Sequence, residues 1–373
     1  MTEQTTIALI GLGGYGEQYL SHILKGGLEP DARLVAGIDV VPERSAFAPD
    51  LAAAGIPIYP DLETFYRKAG ADLVIVAAPI HLHVPLSIAA LSHGSNVLCE
   101  KPLCALEEEG ERLIAAEKTS GKIVAIGYQW SFSDAVEELK KDIQSGLFGK
   151  AQEMKTLVLW PRNRSYFTRN SWAGRVRTDT GDWVLDSPIN NAAAHFLHNM
   201  LFLFGKEPHT AAQPTEIQAE LFRANPIENY DTAAVRMRTE PGTVLRMYVS
   251  HTIREVSGPR FSARFTDATL DFGSDHKIIA RFADGREKEY GNPDKEPFSK
   301  LRRTIEAIRG GRTVPCGPTT ALAHTRCVNR IQGIPVIDFP KERIRIDRIG
   351  EDSLFWVDGL AEEYERRYRS DEF

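Results

Sequence analysis

Three groups of residues in this 373-residue chain combine types and spacings that can do chemistry. Lys101 stands between Glu100 and Pro102, directly after the apolar run Val97–Cys99. An ammonium at the end of a buried strand is penalised by desolvation unless it is paired or used, which makes Lys101 an acid/base candidate. The competing reading is a structural ion pair with Glu100. The second group runs from Asn190 through Asn191 and His195 to His198. On a helix, Asn191, His195 and His198 fall at i, i+4 and i+7 and share a face. His195 is then an acid/base or hydroxyl-binding candidate, and Asn191 and His198 are substrate ligands; polar residues satisfied inside a packing seam would have the same spacing. The third group, Trp160 to Arg177, holds five arginines and four large aromatics in 18 residues. Aromatic faces suit sugar rings and guanidinium forks suit carboxylates or phosphates, so Tyr166, Arg169 and Trp172 are substrate candidates. The same composition is also enriched at protein interfaces.

Composition narrows the field. A net charge of −6 and a pI near 6.0 argue against nucleic acid as the main partner. No apolar window reaches the length that spans a bilayer, and no charged n-region with a following apolar stretch opens the chain. The expected location is the cytoplasm. Cys99, Cys104, Cys316 and Cys327 lack CxxC spacing and are expected to be reduced. The pairs His195/His198 and His81/His83 lack a third ligand on the same element, so no metal is expected.

The elements that must carry these residues alternate through the first third. Ile7–Ile10 reads as a strand, and Gly11-Leu12-Gly13-Gly14-Tyr15-Gly16 leads from it into a helix over 17–25. A second strand, Arg33–Ile38, ends on Asp39. Strand, glycines, helix and a later acid form the dinucleotide-binding pattern. Gly11 permits the turn, Gly13 admits a pyrophosphate to the backbone, Gly16 lets helix pack on strand, and the helix N-terminus supplies N–H groups and positive dipole. Asp39 would accept hydrogen bonds from the adenosine ribose and repel a 2′-phosphate, favouring NAD; Arg44 leaves NADP open. Further helices are read over 42–54, 80–93 and 106–120, with strands at 56–59, 72–77, 96–99 and 122–127. Together these make a Rossmann-type doubly wound parallel sheet. Asp134 with Glu137 reads as a capping box opening the next helix.

From Ala151 the period changes to two. Val235 and Met237 alternate with Arg236 and Arg238, while Leu245, Met247 and Val249 alternate with Arg246, Tyr248 and Ser250. The expectation is an α+β domain with a large, mainly antiparallel sheet, interrupted by helices at 191–204 and 319–331. The domain reading is therefore 1–127 for dinucleotide binding, 128–350 for substrate binding and oligomerisation, and 351–373 as a C-terminal helix docking on the body.

Gly11 to Gly16, Asp39, the Ala78-Pro79 turn with His83 four residues on, Glu100-Lys101-Pro102, Gly127-Tyr128, and a helix carrying His195 before Phe204-Gly205 together resemble the Gfo/Idh/MocA oxidoreductase family. The resemblance implies an NAD(P)-dependent enzyme of sugars or polyols. It places Ala78, Pro79, His83, Glu100 and Lys101 among the cofactor contacts beside Gly11, Gly13, Gly14, Tyr15, Gly16 and Asp39. It further implies a catalytic Lys101, a cis peptide before Pro102, and a second-domain sheet that builds a homodimer or homotetramer. In that family the helix usually reads Asp-x-x-x-His-x-x-Asp; here Asn191 and His198 replace the aspartates, and Asp186 is the available substitute carboxylate. An asparagine binds a hydroxyl but cannot orient a histidinium electrostatically. The expected reaction is hydride transfer from a secondary alcohol of a sugar, polyol or sugar acid, with Lys101 taking the hydroxyl proton. Two alternatives remain at this stage: retained NAD used for transient oxidation during elimination or hydrolysis, and a non-catalytic NAD(P)-binding sensor.

Overall fold

A computed structural model describes residues 4–28, 30–240 and 242–370. Its chain divides into two units, Met1–Phe132 with Glu296–Leu322, and Ser133–Lys295 with Ala323–Phe373. In the first unit six strands run β1 (Thr5–Ile10), β2 (Ala32–Ile38), β3 (Ile58–Tyr59), β4 (Leu73–Val76), β5 (Asn96–Cys99) and β6 (Val124–Ile126). They form one parallel sheet in the order β3-β2-β1-β4-β5-β6. Leu73–Val76 and Asn96–Cys99 are buried throughout, as central parallel strands covered on both faces must be. Helices α1 (Tyr15–Leu24), α2 (Ala48–Ala53), α3 (Leu62–Lys68), α4 (Ile80–Ser92) and α5 (Glu107–Ser120) supply the crossovers. Asp61 caps α3 by accepting from the Thr64 N–H at 2.6 Å.

The parallel order fixes where chemistry can happen. The segments after β1, β2, β4, β5 and β6 all leave the same edge of the sheet, its carboxyl edge, and the strand order reverses between β1 and β4. Ligands of open α/β sheets bind at that position.

In the second unit, α6 (Asp134–Gln144) precedes β7 (Ala151–Leu159), α7 (Arg164–Thr168) and α8 (Ala194–Leu203). Then come β8 (Pro214–Arg223), β9 (Thr232–Thr239), β10 (Val244–Ser250), β11 (Ser257–Phe265), β12 (Ala268–Phe272), β13 (Ile278–Phe282) and β14 (Glu287–Gly291). With β15 (Val336–Asp338) they form a nine-stranded sheet, β14-β13-β12-β11-β7-β10-β9-β8-β15. Only the β7–β10 and β8–β15 pairs are parallel. The period-two pattern resolves as read: Leu245, Met247 and Val249 are fully buried on one face, opposite Arg246 and Tyr248.

Four local expectations change. The 42–54 helix is broken into a short 3-10 turn, Pro42–Arg44, and α2. No side-chain cap opens α6, where Ser133 is the N-cap and Asp134 already helical. Residues 296–322, with α9 (Ser299–Gly310) and the start of α10 (Pro318–Gln332), belong to the first unit, where Lys300 of α9 reaches Glu100. The tail is not one helix. Ile344–Ile349 and Asp352–Val357 form a two-stranded hairpin, β16–β17, before α11 (Leu360–Arg369). Leu354 and Val357 bury from a strand, while Leu360 and Tyr364 bury from the helix. That segment does pack on its unit, covering Leu157, Leu159, Ala234 and Tyr248 of the sheet. Among the described residues no helix is long and apolar enough to cross a membrane.

Candidate active site

The glycine loop has the geometry of a nucleotide cradle. Gly11 takes φ +84°, and a Cβ there would stand 2.4 Å from the Ala77 carbonyl oxygen; a Cβ at Gly16 would meet the Gly11 carbonyl oxygen at 1.9 Å. These two positions therefore need glycine for packing. Gly13 and Gly14 face open space, which leaves the backbone approachable beside the first turn of α1 and its Tyr15. Asp39 is aimed by its own neighbours: Oδ2 accepts from the Leu12 N–H and Oδ1 from the Val41 N–H, both at 2.8 Å. Each oxygen keeps a second lone pair, so a half-buried, pre-oriented carboxylate remains for ribose hydroxyls. These residues fit a dinucleotide. Replacing Asp39 by Asn is expected to weaken NAD binding about tenfold or more, the cost of a charge-assisted hydrogen bond. Titration of the protein with NAD and NADP in parallel checks it; a wild-type preference for NADP would contradict the assignment.

The next two loops of this edge are tied to one another. Ala78 and Pro79 follow β4, and Pro79 is the N-cap of α4. His83, on the first turns of α4, is 1% exposed, with Nδ1 2.7 Å from the Pro102 carbonyl oxygen and Nε2 2.8 Å from that of Ala78. The ring sits between these two carbonyls and bridges the loops after β4 and β5. Burial lowers its pKa against the pull of the two carbonyls.

Glu100 is also turned inward. Its Oε1 accepts from the Tyr19 hydroxyl at 2.7 Å and from the Lys300 ammonium, and Lys300 lies 3.3 Å from the Tyr15 hydroxyl. Glu100 is 6% exposed and Lys300 0%. Burial works against the charge on Lys300, yet Glu100 and Tyr15 outweigh it and raise its pKa. The cation paired with Glu100 is thus Lys300, and not Lys101 as the competing structural reading had it. Lys101 is partly exposed at the end of β5, and the peptide joining it to Pro102 is cis. Neither Tyr19 nor Lys300 had a sequence signal; a lysine 200 residues from its partner leaves none.

The second unit holds a separate polar cluster. Asp186 is 3% exposed, its Oδ1 accepting from Asn191 Nδ2 at 2.7 Å and its Oδ2 from the Gly174 N–H at 2.6 Å. The residue before it, Leu185, takes φ +46°, and the buried Asn190 amide donates to the carbonyls of Val184 and Leu185, holding that turn. Asn191 lies in turns just before α8, and the i, i+4, i+7 face therefore does not form as expected. His195 is half-buried on α8, whereas His198 is 1% exposed. Burial first, then His324 and Lys140, press the His198 pKa well below its usual value.

Around Tyr166 the aromatic and arginine stretch folds on itself. The Arg169 guanidinium sits 3.7 Å from the Tyr166 ring centroid and 5.5 Å from that of Trp172, and the Arg162 guanidinium 5.0 Å from Tyr166 and 5.8 Å from Trp160. His251 packs edge-on to Tyr166, and its Nδ1 donates to the Trp160 carbonyl oxygen at 2.8 Å. Burial, reinforced by Arg162 and Arg169, drives the His251 pKa down to about 3. Unfolded, this histidine takes up a proton below about pH 6.5; folded, it does not until about pH 3, so its contribution to stability is lost as pH falls. Denaturant midpoints of wild type and His251→Gln between pH 7 and 4 are expected to show the variant less acid-sensitive, by about 1.4 kcal/mol per pH unit below pH 6. Parallel curves would refute it.

A doubly wound parallel-sheet unit of the kind that binds dinucleotides is thus followed by a unit built on a mainly antiparallel sheet. Comparison gives the family. Residues 5–128 match the oxidoreductase family, NAD-binding Rossmann fold, and residues 136–271 match the GFO/IDH/MocA C-terminal domain. The chain belongs to the Gfo/Idh/MocA family, and its first unit carries the NAD-binding domain of that family. It is 29% identical to inositol 2-dehydrogenase 1 of Saccharopolyspora erythraea over 50% of this chain and 57% of that one. It is 33% identical to 2,7-anhydro-N-acetylneuraminate hydratase of Mediterraneibacter gnavus over 42% of this chain and 43% of that one. The chain thus aligns with about half the length of these curated relatives. The fold matches that of the WlbA dehydrogenase from Bordetella pertussis, crystallised with NADH and UDP-GlcNAcA, at TM-score 0.72 and 22% identity, covering 89% of this chain and 98% of that one.

Proposed function

We propose that this protein is an NAD-dependent dehydrogenase of a secondary alcohol on a sugar, polyol or sugar acid. The observation that carries the reading is the carboxyl edge of the parallel sheet, where the glycine loop, the pre-oriented Asp39 and Lys101 leave neighbouring strands. Bound NAD supplies the hydride acceptor. Asp39 holds the adenosine ribose, the Gly11–Gly16 backbone the pyrophosphate, and Lys101 takes the hydroxyl proton as the carbonyl forms. His195 is the second proton-handling residue and Asn191, oriented by Asp186, a hydroxyl ligand. Tyr166, Arg169 and Trp172 line the substrate. A cytoplasmic homodimer or homotetramer belongs to the same proposal, built on the sheet surface that α11 leaves open.

A second reading is favoured by one relative whose name is that of a hydratase: NAD stays bound and transient oxidation serves elimination or hydration. The experiment is a screen of sugars, inositols and sugar acids with NAD, following reduced nicotinamide and product together. Both rising in equal amounts support the dehydrogenase; product without net reduced nicotinamide supports the second reading; ligand binding with neither makes the protein a sensor.

A further inference from the structure

We propose that the second unit binds a carboxylate of the substrate between Arg162 and Arg169, which makes the preferred substrate a sugar acid. This rests on the dehydrogenase reading and sharpens it. Both guanidinium carbons lie within 5.0 Å of one ring centroid, that of Tyr166, so two positive charges gather at a single half-buried aromatic ring. Among the described residues neither arginine has a carboxylate at ion-pairing distance; their side chains are engaged by Trp160, Tyr166 and Trp172 and by the Tyr166 carbonyl. The Arg162 Nε–H is buried without a hydrogen-bond partner. A buried charged donor left in that state is penalised more than a neutral one, a penalty that an incoming acceptor would relieve.

Elsewhere in the stretch Arg175 is paired with Asp179, Arg177 lies over Trp183 and donates to the Gly181 carbonyl oxygen, and Arg164 is exposed. What sets Arg162 and Arg169 apart is the aromatic ring they share and the buried Arg162 Nε–H.

The local charge selects the ligand. His251 is held neutral and adds nothing. Asp186, whose field acts on Tyr166, is the nearby anion. Two guanidiniums against one carboxylate leave about one positive charge, which suits a monoanionic carboxylate better than a dianionic phosphate. A guanidinium presents a planar fork that matches the two oxygens of a carboxylate, and Trp160, Trp172 and Tyr166 offer faces for the attached ring or chain.

The test uses the NAD-loaded protein and matched probes: glucuronate against glucose, galacturonate against galactose, gluconate against sorbitol, with glucose 6-phosphate as a separate arm. Binding is read by calorimetry and turnover by reduced nicotinamide. At least one acid is expected to bind tenfold or more tightly than its neutral partner. Arg162→Gln and Arg169→Gln should each lower affinity for the acid by more than for its neutral partner, erasing that advantage. The wild-type comparison stands even if a variant fails to fold. No acid surpassing its neutral partner overturns the proposal, as do Gln variants that lose acid and neutral probes alike, or a sugar phosphate that binds best. The two readings fail separately. Acid binding without reduced nicotinamide or product counts against the dehydrogenase and leaves the carboxylate site intact, whereas equal oxidation of acids and neutral sugars does the reverse.

Discussion

Lys101→Met is expected to lower kcat by about two to four orders of magnitude, the contribution of a positioned acid/base, while leaving affinity for NAD within a few-fold. Methionine keeps the length and apolar stem of lysine but removes the group that takes the proton. The cofactor contacts assigned to Gly11–Gly16 and Asp39 come from other strands of the sheet and are untouched. The structure makes this a cleaner experiment than the sequence promised. Glu100 already has its cation in Lys300, so losing the Lys101 charge does not strand a buried carboxylate. Steady-state rates together with an NAD titration decide it, and turnover undiminished in the variant would remove Lys101 from the chemistry.

The second large effect concerns Lys300 itself. Lys300→Met is expected to destabilise the first unit by about 3–5 kcal/mol, because it leaves Glu100 buried and unpaired beside Tyr19. An exposed pair would be worth under about 1 kcal/mol, so the magnitude discriminates between a buried and a solvated role. The double variant Lys300→Met with Glu100→Gln should recover part of the loss, since no uncompensated charge then remains. Urea unfolding of the wild type, both single variants and the double variant gives the coupling directly. A loss under 1 kcal/mol, or no recovery in the double variant, would mean that Glu100 finds other compensation.

The first unit was legible because its signals are local. The apolar run before Gly11, the glycine spacing and Asp39 lie within 35 residues of one another, and apart from the broken 42–54 helix the elements fell close to where turn and cap residues put them. The second unit was legible where residue type alternates with a period of two, as over 235–238 and 245–250, although β10 is buried on both faces. Errors came where a distant partner decides. Pairing of Glu100 with Lys101 stayed open as the competing reading because adjacency is all a sequence offers, and the partner sits on α9. The C-terminal stripe of Leu354, Phe355, Val357, Leu360 and Tyr364 mixes two periods, a strand ending at Val357 and a helix starting at Leu360, which together imitate one helical face. His198 had the right spacing from His195 but buries completely. Asp186, the carboxylate the sequence offers in place of the aspartate missing at position 191, accepts a hydrogen bond from Asn191 beside a left-handed turn at Leu185.

The most direct measurement follows the hydrogen itself. A substrate from the screen, deuterated at the carbinol carbon, is converted in ordinary water with NAD, and the reduced nicotinamide is analysed by mass spectrometry. Direct transfer from that carbon predicts one deuterium in the reduced nicotinamide for each carbonyl product formed. Product accompanied by unlabelled or unreduced nicotinamide would contradict the account.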